Sequence, residues 1–195
     1  MRTFHPIRTA GLKSRRERGS MLLELLIAIV VLAVGMGGLI PLLVSSMYSN
    51  SKSGSDTTST MVAEHVLEQI TAEPADSSNS LQITDCAGTN WTIATAGATV
   101  GNGNGGSYGG NGANLTSDGI IDWTQSYSNV ASNYKALYVA CGAGGRQMTY
   151  DIRWDVISMT TFTRMVMISA RPSGSPVVGG LRYVIPINLR TIGGH

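Results

Sequence analysis

The feature that most constrains this chain is an uncharged apolar run of 20 residues, Leu25 to Val44, near its N-terminus. As an α-helix this run is about 30 Å long, the thickness of a bilayer's hydrocarbon core. A secretory signal peptide has a shorter apolar core, and its cleavage site of small residues follows that core. Here the small residues Gly19 and Ser20 precede the run, so cleavage between them would leave the apolar segment attached. The run therefore predicts a membrane anchor that processing does not remove.

The distribution of charge predicts how the anchor is oriented. Residues 1–19 contain six of the 14 Lys and Arg residues and one of the 12 Asp and Glu residues, a net charge of +5. The rest of the chain contains eight basic and eleven acidic residues, a net charge of −3. Basic residues just before an apolar span stay on the cytoplasmic side, so we expect the polar bulk outside. Because the basic excess lies in the leader, the whole-chain pI of 8.6 does not predict nucleic-acid binding.

The residues around the start of the apolar run carry a family resemblance. Residues 15–32 read RRERGSMLLELLIAIVVL and resemble the leader of type IV prepilins and type II secretion pseudopilins. In that family a dedicated peptidase cuts after the leader glycine, and the fifth mature residue is glutamate. The resemblance implies cleavage between Gly19 and Ser20, N-methylation of Ser20, and Glu24 as the fifth mature residue. Residues 31–39, VLAVGMGGL, are further similar to minor pilins of the PilV type.

The resemblance also implies a function and a set of partners. Members of the family are structural subunits, held by one span in the inner membrane with the C-terminal domain in the periplasm, until a filament extracts them to the cell surface. The expected partners are prepilin peptidase, other pilin or pseudopilin subunits, an inner-membrane assembly platform and the lipid bilayer. Glu24 would pair with the N-terminal ammonium of a neighbouring subunit. The alternative interpretation is a carboxylate near the membrane boundary that reaches water.

Four helix-weakening residues lie within the apolar run: Gly35, Gly37, Gly38 and Pro41. Pro41 removes the hydrogen bond to the Gly37 carbonyl and clashes with that turn, which predicts a kink or a loosened helix. Local melting on entry into a filament, as occurs in related pili, is one interpretation. The other is that membrane helices tolerate Gly and Pro.

Beyond the membrane segment, residues 45–60 are rich in Ser and Thr, which are modest helix formers. An apolar stripe at helical spacing follows, formed by Met61, Val62, Val66 and Ile70. Pro74 disfavours helix at the preceding residue, so the helix should end near Ala72. The residues alone allow a break in the Ser-rich part, whereas the resemblance favours one helix from Met21 to Ala72.

The predicted organisation is a leader (1–19), a transmembrane and assembly helix (20–45), an amphipathic continuation (46–73) and a globular domain (74–195). The best strands are 149–156, 162–170 and 181–190, with weaker ones at 91–95 and 137–140. Pro186 suggests an edge or a bulge in the last strand. The fold class is therefore α+β and pilin-like, with a long N-terminal helix packed on a small antiparallel β-sheet.

Residues 97–119 form a stretch rich in Gly and Asn, which predicts a mobile, surface-exposed loop. The spacing Gly101-x-Gly103-x-x-Gly106 matches a dinucleotide fingerprint, but more Gly and Asn follow where that motif needs a helix. A variable tip that contacts a partner is an alternative. So is a calcium site built from the polar residues Asn111, Asn114, Asp118 and Asp122, although their spacing matches no EF-hand.

Cys86 and Cys141 are the two cysteines of the chain, and both fall on the predicted outer side of the membrane. An even count in an oxidising compartment favours a structural disulfide over two buried free thiols.

Catalysis is not expected from this composition. The three histidines are His5 in the leader, His65 on the helix and His195 at the terminus. A hydrolytic triad or a zinc site in the globular domain would need a histidine there, and His195 is the only one available. Asp151, Arg153 and Asp155 alternate with apolar residues and are expected to point outward from an amphipathic strand. We expect no catalytic residue, metal or cofactor.

Two further functions fit these observations. The first is a minor pseudopilin of a type II secretion system, which the first 50 residues do not distinguish from a minor pilin. The second, from a different class, is a signal-anchored periplasmic binding protein that never polymerises.

Overall fold

The computed structural model describes residues 17–142, 146–173 and 184–194, with side chains from Met21 onward. Most of the predicted leader, including His5, and the terminal His195 lie outside the described residues. The chain divides into two compact units, Met1–Ser51 and Lys52–His195.

One helix, α1, runs without interruption over Glu17–Ala72, 56 residues in all. The prediction of a continuous helix is confirmed, and so is its end at Ala72, two residues before Pro74. The Ser-rich part is helical throughout, and its hydroxyls donate to carbonyls four residues earlier instead of competing for other backbone groups. These bonds join Thr57 to Ser53 at 2.9 Å, Thr58 to Gly54 at 2.9 Å, Ser59 to Ser55 at 3.0 Å and Thr60 to Asp56 at 3.1 Å.

Within the second unit, one face of α1 is buried against the sheet. Val62, Val66 and Ile70 recur every four residues on that face and belong to the hydrophobic core. The predicted stripe is wrong for Met61, which is 62% exposed. Helical geometry explains the difference, because Met61 lies about 100° around the helix from Val62.

The strands form two antiparallel sheets. The first is a hairpin of β1 (Ser80–Thr84) and β2 (Asn90–Ala94). The second contains β3 (Asn111–Gly112), β4 (Lys135–Cys141), β5 (Gln147–Thr160), β6 (Thr163–Ser173) and β7 (Ile187–Gly194). β3 and β4 pair with successive parts of β5, and β6 and β7 follow in order. The predicted antiparallel sheet is therefore confirmed.

The predicted strands at 91–95, 137–140, 149–156 and 162–170 correspond to β2, β4, β5 and β6. The last predicted strand begins too early in the sequence, since Pro186 precedes β7 and residues 181–183 lie outside the described residues. Proline cannot donate a ladder hydrogen bond, and β7 begins directly after it. The strands β1 and β3 were not predicted.

The two faces of the main sheet bury different kinds of side chain, apolar on one face and charged on the other. Tyr150, Ile152 and Trp154 on β5 belong to the same hydrophobic core as Val66 and Ile70 of α1. Side chains alternate along a strand, so Asp151, Arg153 and Asp155 lie on the opposite face. All three are buried, being 5%, 2% and 0% exposed.

Candidate functional site

The first candidate site is the surface of α1 between Met21 and Ser51. Every side chain in this range is exposed, and Glu24 is the single charge among them. The helix contains a window of mean hydropathy 2.7, long and apolar enough to span a membrane. A helix that is hydrophobic all round is normally buried in protein or in lipid.

The predicted processing residues lie at the beginning of this helix. Gly19 and Ser20 are helical in their backbone. Glu24 follows Ser20 by four positions, about one turn and 6 Å of rise. The structure thus carries the predicted cleavage point and the carboxylate on one continuous helical segment.

The glycines of the apolar run pack against no other described part of the chain. A Cβ atom added to Gly35, Gly37 or Gly38 would meet no atom within 4 Å. Pro41 lies inside α1, which continues through it. A break at Pro41 is therefore not observed, and the predicted kink or loosening stays a prediction.

In the second unit, the predicted disulfide between Cys86 and Cys141 is present, with its Cα atoms 5.8 Å apart. It joins the turn of the β1–β2 hairpin to the end of β4, and the alternative of two free thiols is excluded. The adjacent backbone reinforces the link, because the Cys86 N–H donates to the Val139 carbonyl at 3.1 Å.

Asp85, beside this disulfide, connects the same two elements. Its carboxylate accepts from the Thr89 N–H at 2.8 Å, from Trp91 Nε1 at 3.0 Å and from the Val139 N–H at 3.4 Å. Burial alone would raise the pKa of Asp85, but these donors together outweigh it and hold the pKa below its usual value. The hairpin is thus tied to β4 by a covalent bond and an ionised side chain.

The expectation that Asp151, Arg153 and Asp155 point to solvent is wrong. Arg153 forms a two-point ion pair with Asp151, at 3.1 Å from Nε and 2.8 Å from Nη2. Its Nη1 donates to the Gln125 carbonyl at 2.6 Å. Gln125 belongs to a long segment that covers this face of the sheet. Alternation along the strand distinguishes two faces, but it does not reveal what covers them.

Trp123 holds that covering segment on the sheet. Its ring lies between two guanidinium groups, 4.5 Å from Arg153 and 4.1 Å from Arg171. Its Nε1 donates to the Ser169 hydroxyl at 2.9 Å. Cation–π contacts of this kind contribute on the order of 0.5–2 kcal/mol each, so the segment is firmly attached rather than loosely laid over β5 and β6.

The Gly/Asn-rich loop is not a wholly exposed segment, which corrects the prediction for its central part. Gly105, Gly109, Gly110 and Gly112 are buried, and β3 lies within the loop. Side chains would prevent this packing: a Cβ on Gly112 or Gly110 would overlap carbonyl oxygens of β5. Glycine is thus required here for close approach of two backbones.

Arg164, which sequence reasoning did not single out, is 1% exposed on the helix-facing side of β6. Its Nη2 donates to the carbonyls of Ile70 and Glu73, and its Nη1 donates to the Thr95 carbonyl at 3.1 Å. Burial lowers the pKa of the guanidinium, while the charge of Glu73 acts in the opposite direction. A cation at this end of a helix satisfies carbonyls that lack helical partners.

The other candidates from the sequence are not brought together. Asp118 and His65 are exposed, and Asp122 accepts from the Thr124 backbone and hydroxyl at 2.9 and 2.7 Å. Turns, not a helix, follow Gly101. Within the described ranges, no group of three or more His, Cys, Asp or Glu side chains could hold a metal ion.

Comparison of the chain with protein-family models, with curated proteins and with solved structures finds no match.

Proposed function

We propose that this protein is a minor pilin of a type IV pilus or a related filament, a structural subunit that works by assembly. The observation that carries the proposal is the arrangement of Gly19, Ser20 and Glu24 directly before an uncharged apolar helix. In this proposal, prepilin peptidase cuts between Gly19 and Ser20, and Ser20 becomes the methylated N-terminus. The protein then waits in the inner membrane with its globular domain in the periplasm.

The exposed apolar surface of α1 supports the proposal. The side chains of residues 21–51 need an apolar environment, which lipid supplies before assembly and the helices of neighbouring subunits supply afterwards. Burial is similar in both states, so transfer from the membrane to a filament costs little hydrophobic free energy. Glu24 then fixes the register by pairing with the Ser20 ammonium of a neighbouring subunit, since a charge without a partner is costly in apolar surroundings.

The glycines support an intermolecular role for the same segment. Each glycine in a helix interior destabilises it by roughly 0.5–1 kcal/mol relative to alanine. Gly35, Gly37 and Gly38 have no neighbour within the chain that would require their small size. Two roles would explain glycine at these positions: the close approach of a second helix, or a helix that can loosen around Pro41.

The globular domain supplies the part of the subunit that faces outward. Its disulfide suits an oxidising compartment. In the assembled state the domain decorates or caps the filament. A pseudopilin of a type II secretion system would share all of these features, and the test below separates the two by the filament in which the protein is found.

The test is incorporation of the tagged full-length protein into filaments sheared from cells. The wild-type protein is expected in the sheared fraction, at substoichiometric amounts. Glu24→Gln removes the charge at nearly constant shape and is expected to reduce incorporation at least tenfold while membrane levels stay the same. Glu64→Gln, a charge removal on an exposed part of the same helix, is the matched control and should incorporate normally.

Three outcomes would count against the proposal. Wild-type protein that stays in the membrane fraction of piliated cells would indicate a signal-anchored periplasmic protein. Recovery only in secretion-system filaments would indicate a pseudopilin. Equal incorporation of the wild-type and Glu24→Gln proteins would show that assembly does not depend on the charge of Glu24.

A further inference from the structure

Asp155 is fully buried, and only one of its two carboxyl oxygens has a hydrogen-bond partner. Its Oδ1 accepts from the Gly110 N–H at 3.0 Å. Its Oδ2 has no hydrogen-bond partner, and it is the one buried side-chain oxygen or nitrogen in the described part of the chain of which this is true. An ionised carboxylate with an unpaired oxygen is costly to bury, and native proteins seldom retain one without a functional reason.

The Gly/Asn-rich loop closes directly over this oxygen. A Cβ atom on Gly105 would overlap Oδ2, and one on Gly109 would lie 2.7 Å from it. The backbone of these two glycines therefore packs against the carboxyl group. A cation coordinated by Oδ2 at about 2.4 Å would need the space that the loop backbone occupies.

The closed loop is paired with β5 at both of its ends, through Ala98 at one end and through β3 at the other. Its first part pairs with β5 through the Ala98 N–H to Val156 and the Ser158 N–H to Ala98, at 3.3 and 2.9 Å. Its central part is held mainly by its own backbone, with the Gly105 N–H donating to Gly110 at 2.8 Å and the Gly101 N–H donating to Gly109 at 3.2 Å. Between the two paired ends, the contact with Asp155 is therefore what ties the turn formed by residues 101–110 to the sheet.

Among the described residues, the groups around Asp155 offer no fixed positive partner. On the same face of β5, Arg153 is already engaged by Asp151 and by the Gln125 carbonyl. On β6 the residue opposite Asp155 is the uncharged Met167, and Arg171 further along that strand lies on Trp123 and near Asp151. From the segment before β4, Tyr134 donates its hydroxyl to the Ala96 carbonyl. From the loop itself, residues 101–112 carry one titratable side chain, Tyr108, and it is exposed.

We propose that Asp155 and the glycines at 105, 109 and 110 form a proton-operated latch. The loop closes over the neutral carboxylic acid and opens when the acid loses its proton to water. In the closed state the proton on Oδ2 removes the charge that the loop would otherwise enclose. In the open state water solvates the carboxylate, and the central loop becomes available on the surface of the domain.

The direction of the pH dependence follows from burial. Burial raises the pKa of Asp155 to about 7, and the hydrogen bond from Gly110 only partly offsets that rise. In the open loop the carboxyl group has the ordinary pKa of an aspartic acid, near 3.8. The closed state therefore binds more protons between these two values, so closure weakens as the pH rises through this interval and levels off above it. Each unit of pH within the interval multiplies the open fraction about tenfold.

Amide hydrogen exchange of the full-length protein in detergent micelles, with rates normalised for intrinsic exchange at each pH, tests the latch. The peptide that contains the Gly105 and Gly110 amides should lose protection about 50-fold between pH 5 and pH 7, and little more by pH 8. Asp155→Asn keeps the Oδ1 acceptor and cannot ionise, so its protection should not change over this range. Asp118→Asn, an exposed carboxyl at the end of the same loop, should behave as the wild-type protein does.

A second readout uses the wild-type protein alone, so that the proposal can still be tested if Asp155→Asn does not fold. The carboxyl carbon of Asp155 should titrate near pH 7 in an NMR experiment. A titration near pH 4, or loop protection that does not vary with pH, would overturn the proposal. So would calcium chloride restoring protection at pH 8 relative to EDTA, because a metal ion would then be the partner of Oδ2.

Discussion

Arg164 on β6 donates to the backbone carbonyl of Glu73, just beyond the last turn of α1, at 2.5 Å. The same guanidinium nitrogen donates to the carbonyl of Ile70. The last carbonyls of a helix have no helical partners, and here a buried cation from the sheet serves them. Within the second unit, the bond fixes the end of α1 against β6. It also fills an irregular site between helix and sheet that apolar side chains alone would leave with unpaired oxygens.

Replacing this cation should be among the more damaging single changes in the domain. Arg164→Met keeps most of the side-chain volume and removes three hydrogen bonds from a charged donor. We expect a loss of about 2–3 kcal/mol in the free energy of unfolding, measured by denaturant titration with Trp fluorescence. Arg190→Met, on the exposed face of β7, should stay within about 0.5 kcal/mol of wild type. Equal effects of the two variants would show that the Arg164 bonds are not stabilising.

The docking of α1 on the sheet can be tested with two apolar truncations. Ile70 is fully buried in the core and Met61 is largely exposed. Ile70→Ala should destabilise the domain by about 2–4 kcal/mol, because it leaves a cavity in a packed core. Met61→Ala should change the free energy of unfolding by less than about 0.5 kcal/mol. A large effect at Met61 would indicate that its side chain is buried, as the sequence predicted, and would contradict the buried face of α1 described above.

Asp85 should make stability depend on pH in the sense opposite to Asp155. Its pKa is lowered in the folded state by its donors, so its contribution is present above its ordinary pKa and is lost as the pH falls below it. Asp85→Asn should cost about 1–2 kcal/mol at pH 7. The difference from wild type should shrink progressively as the pH falls from the ordinary pKa, near 3.8, through the lowered pKa of the folded carboxylate.

The control for this measurement is Asp76→Asn, since Asp76 is exposed. Its effect on the free energy of unfolding should be small and similar at both pH values. An Asp85→Asn penalty that is the same at pH 7 and at pH 3 would contradict the ionised network, because it would then arise from shape and not from charge.

The sequence predicted those parts of the fold in which the signal is local. The apolar run and Pro74 predicted the first part and the end of α1, and the family resemblance favoured its continuity across the Ser-rich part. Alternation in β5 and β6 was enough to place the centre of the sheet. β1 was not predicted because SLQIT alternates but has only two apolar positions, and β3 was not predicted because Asn111–Gly112 is too short to alternate. Their pairing depends on neighbours brought close by the fold, which a single strand does not reveal.

The burial of the polar face of β5 could not be predicted from the sequence for a related reason. Asp151, Arg153 and Asp155 have the pattern of a solvated face, and only the segment that lies over them turns that face into an interior. Arg164 lies 94 positions after Ile70, so no local pattern connects the two. The predicted roles of Ser20 and Glu24 differ in kind, because they concern a peptidase and neighbouring subunits, and they stay predictions.

The most direct test of the central claim is the intact mass and N-terminal sequence of the protein extracted from membranes, with and without prepilin peptidase. The account predicts a peptidase-dependent N-terminus at Ser20, with α1 retained and a methyl group on the new amine. An uncut N-terminus at Met1, or a cut beyond Val44 that removes the apolar segment, would contradict it.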